Sequence, residues 1–266
     1  MMPGLQTHIR GGIDPAVLRE VRALGFERAR IDGQRCSPED VNRWVRDVQQ
    51  AGLAPLVTLW DAAQISALDP TLGPLDIELR NEPNLEGPDP MIYRGLLAYV
   101  LPAVVAGGHR LWAPAISNLD RKGFAYLRAC GPLPAGVNVS VHWYPHGNRP
   151  ERPHPGFESR YIEVSTLLNI IGEDRSWGVS EFGYHSAARR STESWLEKQL
   201  GVTHRWSDEE VAAHVHHEWR FWREAGASFA CLFQLNDGPE DNKEHRFGIR
   251  RLDGTWKPAA YSLQGL

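Results

Sequence analysis

The sequence has little cysteine and little methionine, with three of each among its 266 residues. Cys36, Cys130 and Cys231 are scattered along the chain, and none of the intervals between them is typical of a metal or redox site. Cys231 falls within an apolar stretch that predicts a core strand, where a thiol behaves as a small apolar side chain. The cysteines therefore point to packing and not to metal or redox chemistry.

The sequence also lacks long hydrophobic runs and a strong charge of either sign. Residues 1–12 do not contain the apolar core of a signal peptide, and no stretch is long enough to predict a membrane span. Taken literally, this predicts a cytoplasmic protein, although a secreted protein whose leader had been removed would look the same. The formal net charge of −4 gives no reason to expect nucleic acid or a membrane as a partner. The oligomeric state cannot be read from the sequence.

Repeats, linkers and low-complexity segments are absent, and strands alternate with helices along the whole chain. This alternation favours a parallel sheet with crossover helices, and the length suits one α/β domain over residues 1–266, a single (β/α)8 TIM barrel. Pro102 falls inside a long predicted helix, Pro90–Ala106, and predicts a kink or a break there. The predicted strands are Leu5–Arg10, Arg28–Asp32, Ala54–Trp60, Leu75–Glu82, Arg110–Ser117, Val137–Tyr144, a strand that ends at Glu181, and Phe229–Asn236.

Two of these strands end in a glutamate. The apolar run 75–79 leads to Glu82, and Pro83 then stops the strand because proline has no N–H for the ladder. Further along the chain, the short apolar strand that begins at Trp177 ends in Glu181. The carboxyl ends of the strands of a parallel barrel carry its chemistry. Two carboxylates there suggest glycoside hydrolysis, in which one acts as acid and the other as nucleophile.

The stretches Asn81-Glu82-Pro83 and Ser180-Glu181-Phe182-Gly183 resemble the glycoside hydrolases of clan A, which are retaining (β/α)8 enzymes. The resemblance follows the strand order over nearly the whole chain, with close matches on strands two, four, six, seven and eight. It implies that Glu82 is the general acid/base and that Glu181 is the nucleophile. It also implies a β-linked oligo- or polysaccharide as substrate and no cofactor. The carboxyl groups of such a pair are expected about 5–5.5 Å apart.

Strand six carries polar residues on one face only. Val137, Val139, Val141 and Trp143 alternate with Asn138, Ser140, His142 and Tyr144. Because the apolar set should face the helices, the polar set is expected to point into the barrel, with His142 and Tyr144 at its rim. In the resembled clan a His-x-Tyr pair at this place contacts the nucleophile and the bound sugar. The alternative is a hydrogen-bonded rim pair that does not touch substrate.

Arg30 in strand two is also predicted to point inward, where a buried guanidinium needs a carboxylate partner. We expect that partner to be Glu181, which Arg30 would keep ionised. The alternative is a purely structural ion pair with Glu78 or Asp32.

Asn81 resembles the clan residue that binds the sugar 2-hydroxyl. Strict alternation would place Glu78, Arg80 and Glu82 on one face of the strand and Asn81 on the other. Either the strand end twists or bulges, or the assignment of Asn81 is wrong.

Aromatic residues are candidates for sugar-stacking platforms. Trp60 ends strand three and is either such a platform or a core or rim residue. Trp195 and Trp206 lie in the long connection 184–206, where they either wall a substrate groove or pin the loop to the barrel. Many clan members carry a tryptophan near the end of strand eight, and Gln234 is expected to replace it here by hydrogen bonding.

The eleven histidines raise the alternative of a metal-dependent barrel hydrolase. His214, His216 and His217 lack the His-Glu-x-x-His arrangement, so no metal ligands are predicted. The leading hypothesis is an endo-acting retaining glycosidase, because short loops after most strands favour an open groove. A catalytically silent barrel that binds glycans is the alternative outside enzymes. Both glutamates and their predicted polar surroundings argue against it.

Overall fold

The structure, a computed structural model, describes residues 1–7, 13–145, 148–187, 206–240 and 245–264. Eight parallel strands close into a barrel, in which each strand pairs with the next and the last pairs with the first. The predicted (β/α)8 fold is therefore confirmed. The strands are β1 (Met2–Thr7), β2 (Arg28–Asp32), β3 (Ala54–Leu59), β4 (Asp76–Leu79), β5 (Arg110–Trp112), β6 (Val137–Trp143), β7 (Trp177–Phe182) and β8 (Phe229–Leu232).

The helices begin where the sequence offers side-chain caps. Asp14 accepts a hydrogen bond from the N–H of Ala16, and Ser207 and Glu210 form a reciprocal capping box. No helix in the described ranges is both long enough and apolar enough to cross a bilayer. The helices are α1 (Pro15–Ala23), α2 (Pro38–Gln50), α3 (Ala62–Ser66), α4 (Pro83–Glu86), α5 (Pro90–Ala106), α6 (Arg121–Ala129), α7 (Arg160–Ile171) and α8 (Asp208–Glu224), with 3₁₀ turns at Pro70–Leu72 and Pro258–Tyr261.

Several local predictions need correction. Strands β4, β5 and β8 end earlier than predicted, at Leu79, Trp112 and Leu232 and not at Glu82, Ser117 and Asn236. The first strand begins at Met2 and not at Leu5, because Met2 pairs with Phe229 in β8 and so extends the barrel downward. The predicted break at Pro102 does not occur, since α5 continues through it as one helix. Pro102 lies on the exposed side of α5, where water can satisfy the carbonyl group that loses its N–H partner.

The barrel interior is divided into two layers. At the amino-terminal ends of the strands, which form the closed end of the barrel, lies a small apolar cluster of Leu56, Trp112, Phe229 and Cys231. Toward the carboxyl ends of the strands the inward side chains are polar and almost fully buried, and they include Arg30, Glu78, His142 and Glu181. The main apolar core lies outside the barrel, between the strands and the helices. These buried charges lie beneath the open end, where a parallel barrel keeps its reactive groups, whereas the buried ion pair of Arg28 with Asp76 lies nearer the closed end.

Candidate active site

The two predicted glutamates face each other at the open end of the barrel. Glu181 lies near the end of β7, and Glu82 follows β4 in the first turn of its loop. One carboxylate oxygen of Glu82, one of Glu181 and a ring nitrogen of His142 all lie within 4.8 Å of one another. Carboxyl groups about 5–5.5 Å apart suit a retaining glycosidase, whereas an inverting enzyme needs about 6.5–9.5 Å. The approach of these oxygens therefore fits the shorter spacing.

An irregular backbone turns both Asn81 and Glu82 toward the barrel axis. Arg80 has a φ of 60° and Glu82 a φ of 43°, and both angles fall in the left-handed region that non-glycine residues rarely adopt. The turn at Arg80 interrupts the alternation of the strand, so Asn81 reaches the guanidinium of Arg30 and Glu82 reaches His142. The twist or bulge that the assignment of Asn81 required is therefore present, at Arg80. Backbone strain of this kind clusters at functional sites.

Neighbouring segments hold this irregular loop in place. The N–H of Asn81 donates to Gln34 Oε1 at 3.1 Å. Beyond Glu82, Asn84 exchanges two hydrogen bonds with Ser117, each 2.9 Å long. The hydroxyl of Tyr93 donates to the carbonyl oxygen of Leu79 beneath the strand end. Residues of the loops that follow β2 and β5, together with Tyr93 of α5, therefore hold the segment that carries Glu82.

Arg30 is the central cation of the site. Its guanidinium binds Glu181 and Glu78 and also donates to Asn81 Oδ1 at 2.8 Å and to Gln6 Oε1 at 2.9 Å. The expected contact with Glu181 and its alternative with Glu78 are therefore both present. Arg30 and Glu78 are at most 1% exposed. A buried charge network of this kind is stable only when its partners stay in place.

Tyr144 supplies the second contact to Glu181. Its hydroxyl donates to Glu181 Oε2 at 2.7 Å, while Arg30 binds the other oxygen. Burial and the neighbouring Glu181 carboxylate raise the pKa of Tyr144 well above its usual value. The phenol therefore stays protonated at neutral pH and can donate to Glu181.

His142 lies between the two glutamates. Its Nδ1 is 3.0 Å from Glu82 Oε1 and 3.5 Å from Glu181 Oε2. Burial alone would lower the pKa of His142, but the carboxylates of Glu181 and Glu82 outweigh it, so the pKa is raised. Burial alone would raise the pKa of Glu82, but the hydrogen bond with His142 and the charge of that histidine outweigh it, so the pKa of Glu82 is lowered. His142 and Glu82 are joined by a 3.0 Å hydrogen bond, and each shifts the pKa of the other toward its charged form.

Sequence reasoning missed two aromatic residues of the site, Phe233 and Phe247. Their ring centroids lie 6.0 and 5.7 Å from that of Tyr144 in edge-on contacts. Phe233 directly follows β8, near the place where the resembled clan carries tryptophan, so the sequence held a signal for it. Gln234 is only 6% exposed, and its predicted contact with substrate stays a prediction.

The candidate tryptophan platforms differ in exposure. Trp60 lies at the rim and is 38% exposed, but the guanidinium of Arg80 stacks 4.4 Å from its ring. Trp206 is only 6% exposed and packs edge-on against His214. This burial favours the alternative in which Trp206 pins the loop to the barrel, because a stacking platform needs an open ring face. Its contact with substrate stays a prediction. Trp195 lies outside the described residues.

Comparison with known proteins supports the barrel fold. No model of a known protein family matches the chain, and no curated protein matches it in sequence. Among solved structures, a family 39 glycoside hydrolase from Bacteroides cellulosilyticus WH2 has a TM-score of 0.68 and 19% identity over 97% of this chain. The chain spans 61% of the length of that protein.

Two further similar structures are covered almost completely. A family 17 β-1,3-glucanosyltransferase from Rhizomucor miehei has a TM-score of 0.68 and 13% identity, with 96% of this chain and 95% of that chain covered. A family 128 endo-β-1,3-glucanase from Sorangium cellulosum has a TM-score of 0.61 and 17% identity, with 99% and 98% covered. At such identities the likeness shows a shared fold, so the reaction has to be inferred from the site.

Proposed function

We propose that this protein is a retaining glycoside hydrolase that cleaves β-glycosidic bonds by double displacement. The observation that carries the proposal is the approach of Glu82 and Glu181 to within 4.8 Å at the barrel mouth. An approach of two carboxylate oxygens to within 4.8 Å favours the short spacing of a retaining enzyme over the spacing of about 6.5–9.5 Å that admits a water in an inverting enzyme. It suits direct attack by one of them.

Glu181 is proposed as the nucleophile because two fixed donors orient it. Arg30 binds one of its oxygens and Tyr144 the other, so the carboxylate is held in one direction. In the first step Glu181 attacks the anomeric carbon, and Glu82 gives a proton to the departing oxygen. In the second step Glu82 takes a proton from water, which releases the sugar from Glu181. Asn81 precedes Glu82 and shares the guanidinium of Arg30 with Glu181, and it is proposed to bind the 2-hydroxyl.

The lowered pKa of Glu82 bears on its role as an acid. An isolated carboxyl group with a low pKa would be deprotonated near neutral pH and unable to donate. His142 Nδ1 lies 3.0 Å from Glu82 Oε1, so a proton held by the histidine can return to the carboxylate along that hydrogen bond. In the proposed mechanism the acid is therefore the Glu82–His142 pair, and the pair titrates as a unit.

The proposed substrate is a β-glucan, with β-1,3-linked chains as the first to be tested. Similar structures include a β-1,3-glucanosyltransferase and an endo-β-1,3-glucanase. Loops after most described strands are short, which favours an open groove and cleavage within a chain. Hydrolysis of laminarin to a ladder of oligosaccharides would support endo action, whereas release of glucose alone would indicate an exo enzyme.

Two glutamate variants test the assignment of roles. Glu181→Gln should abolish turnover of every substrate, because nothing replaces the nucleophile. Glu82→Ala should retain turnover of an aryl glycoside with a good leaving group, and azide should increase it, because such a leaving group needs no proton. Glu78→Gln is a matched control, since Glu78 also binds Arg30 but is not proposed to react. Identical responses of Glu82 and Glu181 variants to azide would refute the roles.

A metal-dependent hydrolase is the second candidate, because donor atoms of Glu82, His142 and Glu181 converge within 4.8 Å. The guanidinium of Arg30 and the hydroxyl of Tyr144 already bind both oxygens of Glu181, and a cation beside Arg30 would meet its positive charge. The first candidate is therefore preferred. Loss of activity with EDTA and its recovery with zinc would reverse that preference.

A further inference from the structure

The segment after β6 contains a buried ion pair that the proposed reaction does not use. His154 is 5% exposed, and Glu163 in α7 is 1% exposed. His154 Nδ1 lies 3.0 Å from Glu163 Oε1, and the backbone N–H of His154 donates to the same oxygen. Trp143 Nε1 donates to the other oxygen at 3.3 Å. Glu163 therefore joins the loop, the helix and the end of β6.

The second ring nitrogen of His154 contacts the backbone of Tyr144, a residue of the candidate active site. His154 Nε2 lies 3.1 Å from the carbonyl oxygen of Tyr144. On the other side, the N–H of Tyr144 donates to Asn118 Oδ1 at 2.8 Å. Both peptide groups of Tyr144 are thus held, and its hydroxyl lies 2.7 Å from Glu181. The position of this phenol depends on how well its backbone is anchored.

The hydrogen-bond partners of His154 fix the orientation of its ring. Nε2 must donate, because a carbonyl oxygen can only accept, and Nδ1 shares a proton with a carboxylate. Trp143 lies against the imidazole, with ring centroids 5.7 Å apart, and the guanidinium of Arg160 stacks 3.9 Å from the Trp143 ring. The ring is therefore enclosed and cannot turn without losing both hydrogen bonds.

We infer that His154 and Glu163 are positioning residues, which hold Tyr144 so that its hydroxyl meets the nucleophile Glu181. The inference rests on the proposed function for its effect on rate. Neither residue touches the reacting atoms, and both act through the end of β6. A small displacement of a group that orients a nucleophile lowers the rate of its attack more than it weakens ground-state binding.

A double-mutant cycle tests whether His154 acts through Tyr144. His154→Leu removes both ring contacts and should lower kcat on an aryl β-glycoside by about 10-fold, with KM changed by less than about twofold. In a Tyr144→Phe background the same change should lower kcat by less than about twofold, because the hydroxyl that His154 positions is already absent. A 10-fold loss in both backgrounds would overturn the inference.

Matched variants separate positioning from general destabilisation. His154→Gln offers an amide N–H to the carbonyl of Tyr144 and should recover most of kcat. His216 provides the control, since its Nδ1 lies 2.9 Å from the carbonyl oxygen of Ser262 and it is remote from the proposed reaction. His216→Leu should leave kcat unchanged, and an equal loss in both histidine variants would overturn the inference. If His154→Leu does not fold, Glu163→Gln takes its place in the cycle.

Failure of the proposed function and failure of this inference give different results. Activity of the wild type and inactivity of Glu181→Gln test the function alone. A crystal structure of His154→Leu, or of Glu163→Gln, tests the inference alone. A displaced Tyr144 hydroxyl would support it. A hydroxyl that remains 2.7 Å from Glu181 would overturn it, whether or not the protein hydrolyses glycosides.

Discussion

Two arginines of β2, Arg28 and Arg30, show how one strand serves both stability and chemistry. They are two residues apart, both point into the barrel, and both are at most 2% exposed. Arg28 lies toward the closed end and binds Asp76 in β4. Arg30 lies one layer higher and binds Glu78 and Glu181. The same residue type on the same face thus enters two different environments.

The carboxylate at the closed end, that of Asp76, has partners on both of its oxygens. Asp76 accepts hydrogen bonds from Arg28, from Trp112 at 2.9 Å and from Arg110 at 2.7 and 2.9 Å. The guanidinium of Arg28 also lies 4.5 Å from the centroid of the Phe229 ring. Both oxygens of the carboxylate are occupied, and no reactive group lies beside them among the described residues. This network links β2, β4 and β5 and has no reason to change during a reaction.

The network at the open end is organised around groups that are proposed to react. Arg30 and Tyr144 orient Glu181, while Glu82 on the other side is partly exposed and shares a proton with His142. The two ends differ in the carboxylate that each arginine binds: Arg28 binds Asp76, which is not proposed to react, and Arg30 binds the proposed nucleophile Glu181. The closed end should therefore control stability and the open end activity.

The largest expected effect comes from the open end. Glu181→Gln should lower kcat by about 10⁴-fold or more, as loss of a catalytic nucleophile does. Its free energy of unfolding should stay close to that of the wild type, because the amide can still accept from Arg30. Steady-state kinetics and urea unfolding on one preparation would measure both. A variant that lost stability and activity together would contradict the separation of the two ends.

The closed end should behave in the opposite way. Asp76→Ala leaves Arg28 buried with its charge uncompensated, which should cost about 3–5 kcal/mol in the free energy of unfolding. Urea denaturation would give this value. At a temperature where the variant is folded, its kcat should equal that of the wild type. A fall in kcat without a loss of stability would place Asp76 in the reaction and break the comparison.

A smaller effect is expected on the pH profile. Because the pKa of His142 is raised above its ordinary value of 6.5, its interaction with the carboxylates is fully present below that pH and is lost as pH rises through the raised pKa. The pKa of Glu82 is lowered from 4.5, so its interaction is present above that value and is lost as pH falls through the lowered pKa.

The proton shared by His142 and Glu82 therefore leaves above about pH 6.5, and the basic limb of kcat should lie there. His142→Asn should move that limb toward acid, because Glu82 then titrates without a histidine to hold the proton. The profile of kcat against pH on an aryl glycoside would measure the shift. An unchanged basic limb would show that the two residues do not share the catalytic proton.

The smallest effect is expected at the rim. Trp60→Ala should lower kcat/KM on a polysaccharide by about 10-fold or less, which corresponds to the loss of a single stacking contact. Turnover of a small aryl glycoside and the melting temperature should stay unchanged, because Trp60 is 38% exposed. Trp206→Ala is the contrasting variant, since that residue is buried and should lower the melting temperature. If both variants affect only stability, neither is a sugar platform.

The sequence predicted the barrel and the positions of its two glutamates because both follow from local patterns. Strands that end in a carboxylate, and a strand six with one polar face, place Glu82, Glu181, His142 and Tyr144 on the open side without any knowledge of packing. The inward direction of Arg30 followed from the same alternation. These features depend on a period of two and on the direction of parallel strands.

What the sequence could not predict depends on tertiary contacts. The left-handed conformation of Arg80 has no local signature, so alternation gave conflicting faces for Asn81 and Glu82. The contact of Phe247 with Tyr144 requires the chain to return to the site after β8. The two alternatives for Trp206 could not be separated from the sequence, because composition does not show which neighbour covers a ring. His154 was not singled out, because no local pattern distinguishes a loop histidine that contacts a helix carboxylate from one that does not.

The central claim is that Glu181 forms a covalent bond to the sugar while Glu82 faces it as acid/base. A 2-deoxy-2-fluoro aryl β-glycoside with a good leaving group would trap that intermediate, since fluorine slows its hydrolysis. Digestion of the labelled protein followed by mass spectrometry would locate the sugar. One sugar per chain is expected on the peptide that carries Glu181, and no labelled peptide is expected from Glu181→Gln. A label on Glu82 or Glu78, or hydrolysis with inversion and no label, would contradict it.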